Sequence, residues 1–445
     1  MGRNARTETQ HGFSTSEIRC YAAMVLALAA IDAAASIVYL RSSDRSDIPN
    51  LLFGVSQLRW WGLLAAAAAV GLIALARRLP VAATARLDTV WVRVAFAGAC
   101  GIAFFMLRNW FINPDGALFP MKFMVDVPTN GFHATHDEMW ELYIHSKFWS
   151  YVNDHFGWSV VLSYQVLSAA AGAVFVFLML TWCRRVVSQH WPLAFLACVS
   201  GGYMQLFFGD VENYTLVTTI VMGYFLASLR TIDAHSSIVY PAILLALALT
   251  FHLEAGFLVP SLAYLLLVAF KRGQGLQILV ALTAFALVVA ATLLFFHVEG
   301  LPIGDLIRHS HAFGGGGPFW QMLVTPSREY YWQIANLAFL LVPASVILLA
   351  LIAYRRIPLD AVNVHLVVAS AGMSALVIGW KAQLGVYNDW NLFAMAAIPI
   401  SLLVWRNVFR VIGDGRVPWA IVAMIALFFA HSYSWVIGNH WYTGP

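Results

Sequence analysis

The stretch GLQILVALTAFALVVAATLLFFH, residues 275–297, decides the fold class. It contains no Asp, Glu, Lys or Arg, and as an α-helix it is long enough to cross the hydrocarbon core of a bilayer. Apolar runs of similar length recur along the whole chain of 445 residues, which is 61% hydrophobic and only 11% charged. This composition excludes an ordinary soluble globular protein. We predict an all-α polytopic membrane protein.

Eleven to thirteen transmembrane helices are predicted, because the shorter apolar runs in 191–229 and 238–270 also suit broken or re-entrant helices. The four cysteines are far apart and form no disulfide or zinc pattern. The predicted spans are 21–40, 54–76, 94–112, 158–181, 191–208, 215–229, 238–252, 255–270, 275–297, 334–354, 362–380, 391–405 and 418–437.

The basic residues predict the orientation. With the N-terminus in the cytoplasm, 17 of the 26 Lys and Arg residues fall on the cytoplasmic side, often as pairs at helix ends such as Arg77-Arg78, Arg184-Arg185 and Arg355-Arg356. The positive-inside rule favours this topology over its inverse. The polar first twenty residues precede a full-length span, so we expect a retained first helix and no cleaved signal peptide.

The acidic residues show the opposite bias, since 15 of the 22 carboxylates fall on the outer side. They concentrate in short segments: HATHDEMWEL within 113–157, GDVENY at 209–214, FHLEAG at 251–256 and YNDWN at 387–391, with HSHAFGGGG at 309–317 adding histidines. Ionisable groups near the membrane are costly unless they face a cavity or a partner. We predict one polar site on the outer face. Ordinary hydrophilic loops are the alternative for any single segment.

The densest cluster is HATHDEMWELYIHS, residues 133–146. Thr135 and Glu138 match a capping box, which predicts the start of an amphipathic helix in the membrane interface. Glu138 and Asp137 then serve either as local caps of that helix or as bases that accept a proton from a hydroxyl. Glu141 and His145 are four residues apart and fit a surface pair of little energy.

With its many spans and its long acidic outer loop, the chain resembles the GT-C superfamily of integral-membrane glycosyltransferases. The span at 94–112 and loop 113–157 look like the first span and catalytic loop of that family. The implied domains are a cytoplasmic segment 1–20, two additional helices in 21–93, a catalytic core 94–405 with outer loops 113–157 and 298–333, and a final helix with a short periplasmic tail in 406–445. The two additional helices depart from the usual arrangement of the family.

The resemblance implies transfer of a hexosyl or pentosyl group from a polyprenyl-phosphate carrier to an acceptor hydroxyl, in cell-envelope glycan biosynthesis at the periplasmic face of a bacterial inner membrane. Asp137 is the implied catalytic base and Glu138 the second choice. The leaving phosphate needs nearby cations, and Arg308, His309, His311, Arg328 and Lys381 are the outer residues predicted to bind it. The residues predicted to bind sugar or acceptor are His133, His136, Asp210, Glu212, Asn213, Tyr214, His252, Glu254, Asp389 and Trp390.

The expected partners are the lipid-linked donor, a lipid, glycan or protein acceptor, and membrane lipids, with no nucleic acid. No cofactor is required by the pattern, although a divalent cation (Mg²⁺ or Mn²⁺) is compatible with it. A bound metal held by His133, His136 and Asp137 is one alternative, yet that spacing matches no standard ligand motif. An ion- or proton-coupled transporter is the other alternative, because Asp32 inside the first predicted span, with Glu212 and Glu254, fits an ion or proton pathway.

Overall fold

The computed structural model describes residues 12–41, 89–110, 138–187, 189–300, 327–382, 385–386 and 389–440, together with isolated residues between 67 and 74; for 33–41 the backbone alone is described. These residues form α-helices joined by short turns and three 3₁₀ helices, and no strand occurs among them. Seven helices in this part of the chain are long and apolar enough to cross a membrane, or eight if one bent pair is a single span. The all-α membrane class is therefore confirmed.

The first half of the described chain contains seven α-helices. Two 3₁₀ helices, Gly202–Phe207 and Leu253–Leu258, interrupt predicted spans. The α-helices are α1 (Thr15–Arg41), α2 (Val90–Met106), α3 (Met139–Phe156), α4 (Val160–Val186), α5 (Trp191–Cys198), α6 (Thr215–Ile232) and α7 (Val239–Phe251).

The second half contains seven more α-helices and a third 3₁₀ helix, Trp390–Ala396, which leads directly into a long helix. The α-helices are α8 (Val259–Lys271), α9 (Gly275–Val298), α10 (Arg328–Leu341), α11 (Ser345–Ala353), α12 (Ala361–Gly379), α13 (Ala397–Ile412) and α14 (Trp419–His440).

Local chemistry sets several helix starts. Ser159, Ser327 and Asp360 each accept a hydrogen bond from a backbone N–H three residues later, which satisfies donors that the first helical turn leaves open. Arg184 and Arg185 lie in the last turn of α4, where cations complement the helix dipole. The helix boundaries near 275–298, 361–379 and 419–440 agree with the predicted spans because these runs are long and uniformly apolar.

The predicted span 191–208 is broken rather than continuous, which is the alternative that the sequence left open for 191–229. Helix α5 ends at Cys198, and the chain then crosses Gly201 and Gly202 before the first 3₁₀ helix. A Cβ atom at Gly201 would collide with the carbonyl oxygen of Leu341, and one at Gly202 would lie 2.7 Å from the carbonyl oxygen of Leu340. The two glycines therefore permit a close backbone contact that a helix with ordinary side chains excludes.

The contacted residues, Leu340 and Leu341, belong to a second break. Helices α10 and α11 are bent by 93° relative to each other, so the predicted span 334–354 is not straight. The break contains Pro343, whose missing N–H and ring interrupt a helical ladder. Ser432 of α14 donates to the carbonyl oxygen of Leu340 at 3.1 Å and satisfies an acceptor that the break leaves open.

The helix order gives the bundle two chemically different ends. Arg93 near the start of α2 donates to Thr181 near the end of α4, and Arg185 pairs with Asp233 at 3.0 Å, so these groups mark one end. At the other end the α2 terminus bonds the chain at Phe208 and Asn439 through the backbone amides of Asn109 and Trp110. We call the first the Arg185 end and the second the Asn109 end. In the predicted topology they are cytoplasmic and periplasmic, respectively.

Candidate functional site at the Asn109 end

The loop Gly209–Tyr214 connects the first 3₁₀ helix to α6 at the Asn109 end. Gly209 has φ +73°, a left-handed conformation that glycine adopts without strain, and this turn leads the following polar residues back into the bundle. Asp210, Glu212 and Asn213 are all buried there, with exposed fractions of 3%, 6% and 1%. Buried carboxylates are rare in proteins unless the fold provides partners or uses them.

Glu141 of α3 fixes the start of α6 from outside that helix. Its carboxylate accepts the backbone N–H groups of Leu216 at 2.8 Å and Val217 at 3.0 Å, and it is fully buried. Tyr214, at the N-cap position of α6, provides no side-chain cap of its own. A carboxylate at this position satisfies open donors and complements the positive end of the helix dipole. This contact therefore fixes the position of α3 relative to the first turn of α6.

The predicted surface pair of Glu141 and His145 is wrong, because both side chains are 0% exposed. Burial raises the pKa of Glu141 to about 7 and lowers the pKa of His145 to about 3, so His145 is neutral. The 3.9 Å distance between His145 Nε2 and Glu141 Oε1 is therefore not an ion pair at neutral pH. Instead the His145 ring stacks on Tyr164, with centroids 3.7 Å apart and planes 6° from parallel.

Glu138 lies at the N-cap of α3, one turn before Glu141. The helix begins only at Met139, which places Glu138 at the N-cap and not at the third helical position, so the predicted capping box from Thr135 is wrong. Its Oε2 accepts a 2.7 Å hydrogen bond from Asn213 Nδ2, while Asn213 Oδ1 accepts from the Tyr164 hydroxyl at 3.0 Å. The Tyr164 bond fixes the amide orientation, so that the NH₂ group of Asn213 points to Glu138.

His252 approaches Glu138 from the α7 terminus. Its Nδ1 accepts the backbone N–H of Glu254 at 3.3 Å, so the neutral ring carries its proton on Nε2. That Nε2 lies 3.5 Å from Glu138 Oε1. Glu138 thus faces two donor groups, yet its side chain remains 21% exposed, whereas Glu254 is 7% exposed. A carboxylate in this setting is supported by neighbours and still accessible to a ligand.

Tyr214 shows how closely the acidic segments converge. Its ring lies 4.7 Å from the His252 ring. Burial, and then the negative charges of Glu254, Glu138, Glu212 and Asp389, raise the pKa of Tyr214 well above its usual range. Segments from α3, the 209–214 loop, the α7 terminus and the chain before α13 therefore surround one tyrosine. The described residues of GDVENY, HLEAG and YNDWN therefore lie at the same end of the bundle.

Asp210 and the 389–391 segment form the side of the site toward α14. Burial raises the pKa of Asp210 to about 8, against the opposite effects of Asn391 and the Val211 backbone. Its carboxyl group is therefore mostly neutral at pH 7 and is able to donate a hydrogen bond. Trp390 is 4% exposed and packs edge-to-face on Trp435 at 4.9 Å, which gives it a packing role rather than an open face for stacking.

The described cations near this end include Arg328, Lys381 and Arg108. Arg328 begins α10 and Lys381 follows α12; both are exposed, and Tyr330 links their segments by donating to the carbonyl oxygen of Trp380. Among the described residues, neither Arg328 nor Lys381 makes a contact with Glu138. Arg108, near the end of the predicted span 94–112, donates from Nε to Gln165 Oε1 at 3.1 Å, and its Cβ lies beside Gly209.

Several predicted site residues fall outside the described ranges: His133, His136, Asp137, Arg308, His309 and His311. Within the described ranges, no three His, Cys, Asp or Glu side chains are grouped so as to hold a metal ion. The alternatives of Asp137 or Glu138 as base, and of a metal held partly by His133 and His136, therefore remain predictions.

Sequence reasoning missed Glu141 as a buried cap, Tyr164 as an orienting hydroxyl and Arg108 as a cation at this end. Glu141 carried one usable signal, since it lies one turn from Glu138 and so shares its helix face. Arg108 also carried a signal, because a charged residue at the end of an apolar run often marks the interface.

Comparison with known proteins gives little further guidance. No family model matches the chain, and no curated protein matches its sequence. The chain is similar to the crystal structure of ArnT from Cupriavidus metallidurans bound to undecaprenyl phosphate, with 11% identity and a TM-score of 0.48. The match covers 71% of this chain and 59% of the ArnT chain.

Proposed function

We propose that this protein is a membrane glycosyltransferase that moves a sugar from a polyprenyl-phosphate-linked donor to an acceptor hydroxyl. The supporting observation is the acidic cluster at one end of an otherwise apolar helix bundle: His252 lies 3.5 Å from Glu138 and 3.9 Å from Glu254, and its ring is 4.7 Å from that of Tyr214. Carboxylates are strong acceptors for sugar hydroxyl groups. A lipid-borne donor suits a site that is built at the end of membrane helices, and the resemblance to GT-C enzymes implies the same donor class.

In the proposed reaction a carboxylate takes the proton of the acceptor hydroxyl, and the oxygen of that hydroxyl attacks the anomeric carbon of the donor sugar. The bond from that carbon to the phosphate oxygen breaks, and the polyprenyl phosphate leaves with the electron pair. Among the described residues Glu138 is our choice of base, because it is partly exposed and faces Asn213 and His252. Asp137, the neighbouring residue, is the alternative base.

The leaving phosphate gains negative charge inside an acidic region, so nearby cations and donors are needed to stabilise it. Arg328 and Lys381 are exposed at this end, and the neutral carboxyl of Asp210 is a further donor. We assign the phosphate to the side of the site bounded by α10 and the segment after α12. The hexosyl or pentosyl identity of the sugar and the placement of the site on the periplasmic face are part of the same proposal.

The transporter alternative depended on Asp32. In the structure Asp32 Oδ1 lies 3.2 Å from His431 Nδ1, and the imidazole of His431 is buried between α1 and α14. This pair gives Asp32 a structural role in joining the first described helix to the last. Glu212 and Glu254, the other acidic residues of this alternative, lie near Tyr214 at the bundle end, whereas Asp32 pairs with His431.

The test is donor consumption by the full chain in liposomes, with radiolabelled polyprenyl-phosphate sugars as substrates and released polyprenyl phosphate as the product measured. We expect Glu138→Gln to lower turnover by roughly 100-fold or more, the usual effect of losing a general base. Asp154→Asn, which removes an exposed carboxylate of the same helix, is the matched control and should retain turnover. If wild type consumes no donor of this class, the proposal fails; if Glu138→Gln turns over normally, Glu138 is not the base.

A further inference from the structure

A groove on the surface of the bundle, distant from the acidic site, has the form of a lipid-binding site. It has a volume of about 850 Å³ and lies over one stripe of α6, between α4 and α7. Val174, Leu178, Ile220, Leu226 and Leu244 provide apolar walls. Gly223 and Ala227 form a shallow floor, because neither carries a large side chain.

One end of this groove is polar and cationic. Arg230, His235, Ser236 and Ser237 line it where α6 ends and α7 begins, which is the Arg185 end of the bundle. Arg230 is exposed there. Asp233, the acidic residue in the same turn, already accepts a 3.0 Å hydrogen bond from Arg185 Nε, so its charge does not cancel that of Arg230.

The two parts of the groove are arranged along the helix axis. From Ile220 to Arg230 is ten residues of α6, or about 15 Å of helix, and the lining changes from apolar to cationic over that length. This amphipathic order matches one lipid, with an acyl chain beside α4 and α7 and an anionic headgroup against Arg230. The positive charge of Arg230 complements the negative charge of a lipid phosphate in the leaflet at the Arg185 end.

We propose that this groove binds an anionic glycerophospholipid, with its headgroup phosphate at Arg230 and an acyl chain over Gly223. The site is separate from the acidic site and does not depend on the proposed transferase reaction. Bound there, the lipid joins α4, α6 and α7, and so supports the two helices that adjoin Asn213 and His252.

The test uses the full chain in detergent and native mass spectrometry. Phosphatidylglycerol and phosphatidylcholine with identical chains are added separately, and the population with one retained lipid is measured. We expect preferential retention of phosphatidylglycerol, and a roughly fivefold weaker binding of it in Arg230→Gln, as expected for one charge near a membrane surface. Arg416→Gln, which removes an exposed arginine outside the groove lining at the same end, is the matched control and should bind like wild type.

A second pair of variants tests the acyl-chain part. The nearest side-chain atoms to a Cβ at Gly223 are 3.8 Å away, so Gly223→Leu fills the groove without a clash at its first atom, and we expect loss of the retained lipid. Gly98→Leu adds the same side chain to an open position on α2 and should retain it. Equal retention of both lipids with no effect of Arg230→Gln would overturn the proposal. Selective retention of a polyprenyl phosphate in place of phosphatidylglycerol, abolished by Gly223→Leu, would overturn it as well.

Discussion

Glu141 is the residue whose replacement tests the packing of the site most sharply. It is a fully buried carboxylate that caps α6 from α3, and burial raises its pKa from 4.5 to about 7. The replacement Glu141→Gln keeps the side-chain size and one carbonyl acceptor but has no proton to lose. The difference in stability between the two proteins should therefore depend on pH.

The sign follows from proton binding. Between pH 4.5 and about 7 the folded wild type binds more protons at Glu141 than the unfolded chain does, so its free energy of unfolding falls as pH rises through that window. The contribution of Glu141 protonation to the free energy of unfolding is complete below pH 4.5 and lost above about pH 7. A pKa increase of this size corresponds to about 3 kcal/mol over the whole window, and to about 2.5 kcal/mol between pH 5 and pH 8.

The assay is unfolding of both proteins in the same detergent, followed by tryptophan fluorescence at a series of pH values from 5 to 8. We expect the wild type to lose stability relative to Glu141→Gln by about 2.5 kcal/mol across this range. Glu299→Gln removes an exposed carboxylate at the end of α9 and should differ from wild type by no more than about 0.5 kcal/mol throughout. A stability difference between wild type and Glu141→Gln that is independent of pH would refute the reasoning.

Three further substitutions test other contacts. Asn213→Ala removes the amide that donates to the candidate base, and turnover of the lipid-linked donor should fall roughly 10- to 100-fold. It also leaves the buried Tyr164 hydroxyl without its acceptor, so unfolding in detergent should become easier by about 1–3 kcal/mol. Arg356→Gln leaves Glu17, which is 1% exposed, without its hydrogen bonds of 2.6 and 2.7 Å, so unfolding in detergent should become easier by about 2 kcal/mol; an unchanged melting temperature would contradict this. Gly372→Ala places a Cβ against the carbonyl oxygen of Phe257, and thermal unfolding should show a loss of about 1–3 kcal/mol, whereas equal or greater stability would show that the helices separate easily.

The sequence predicted the parts of the fold that depend on composition alone. The run at 275–297 became helix Gly275–Val298 because it is uniformly apolar and is preceded by Lys271 and Arg272. The acidic segments also converged as expected, since connections on one side of a bundle end at the same place. These features can be predicted from the length of each apolar run and the order of the helices alone.

Short runs indicated that breaks were possible, but the positions of the breaks could not be predicted because they depend on contacts between distant segments. The run 191–208 is apolar enough for a span, but its Gly201 and Gly202 meet the backbone of Leu340 and Leu341, about 140 residues away. Glu141 likewise has the spacing of a surface residue, and its burial follows from the open N–H groups of α6, which no local pattern reveals. The capping box failed for the same reason: Glu138 binds Asn213 rather than its own helix.

The central claim is that the acidic site at the Asn109 end handles a polyprenyl-phosphate-linked substrate, and photo-crosslinking tests it most directly. A polyprenyl phosphate with a photoreactive group near its phosphate would be added to the purified full chain, and the labelled peptides identified by mass spectrometry. The account predicts labelling of peptides that contain the 209–214 loop or the 252–258 segment, suppressed by unlabelled polyprenyl phosphate. Labelling confined to the Arg185 end, or none that unlabelled lipid suppresses, would contradict it.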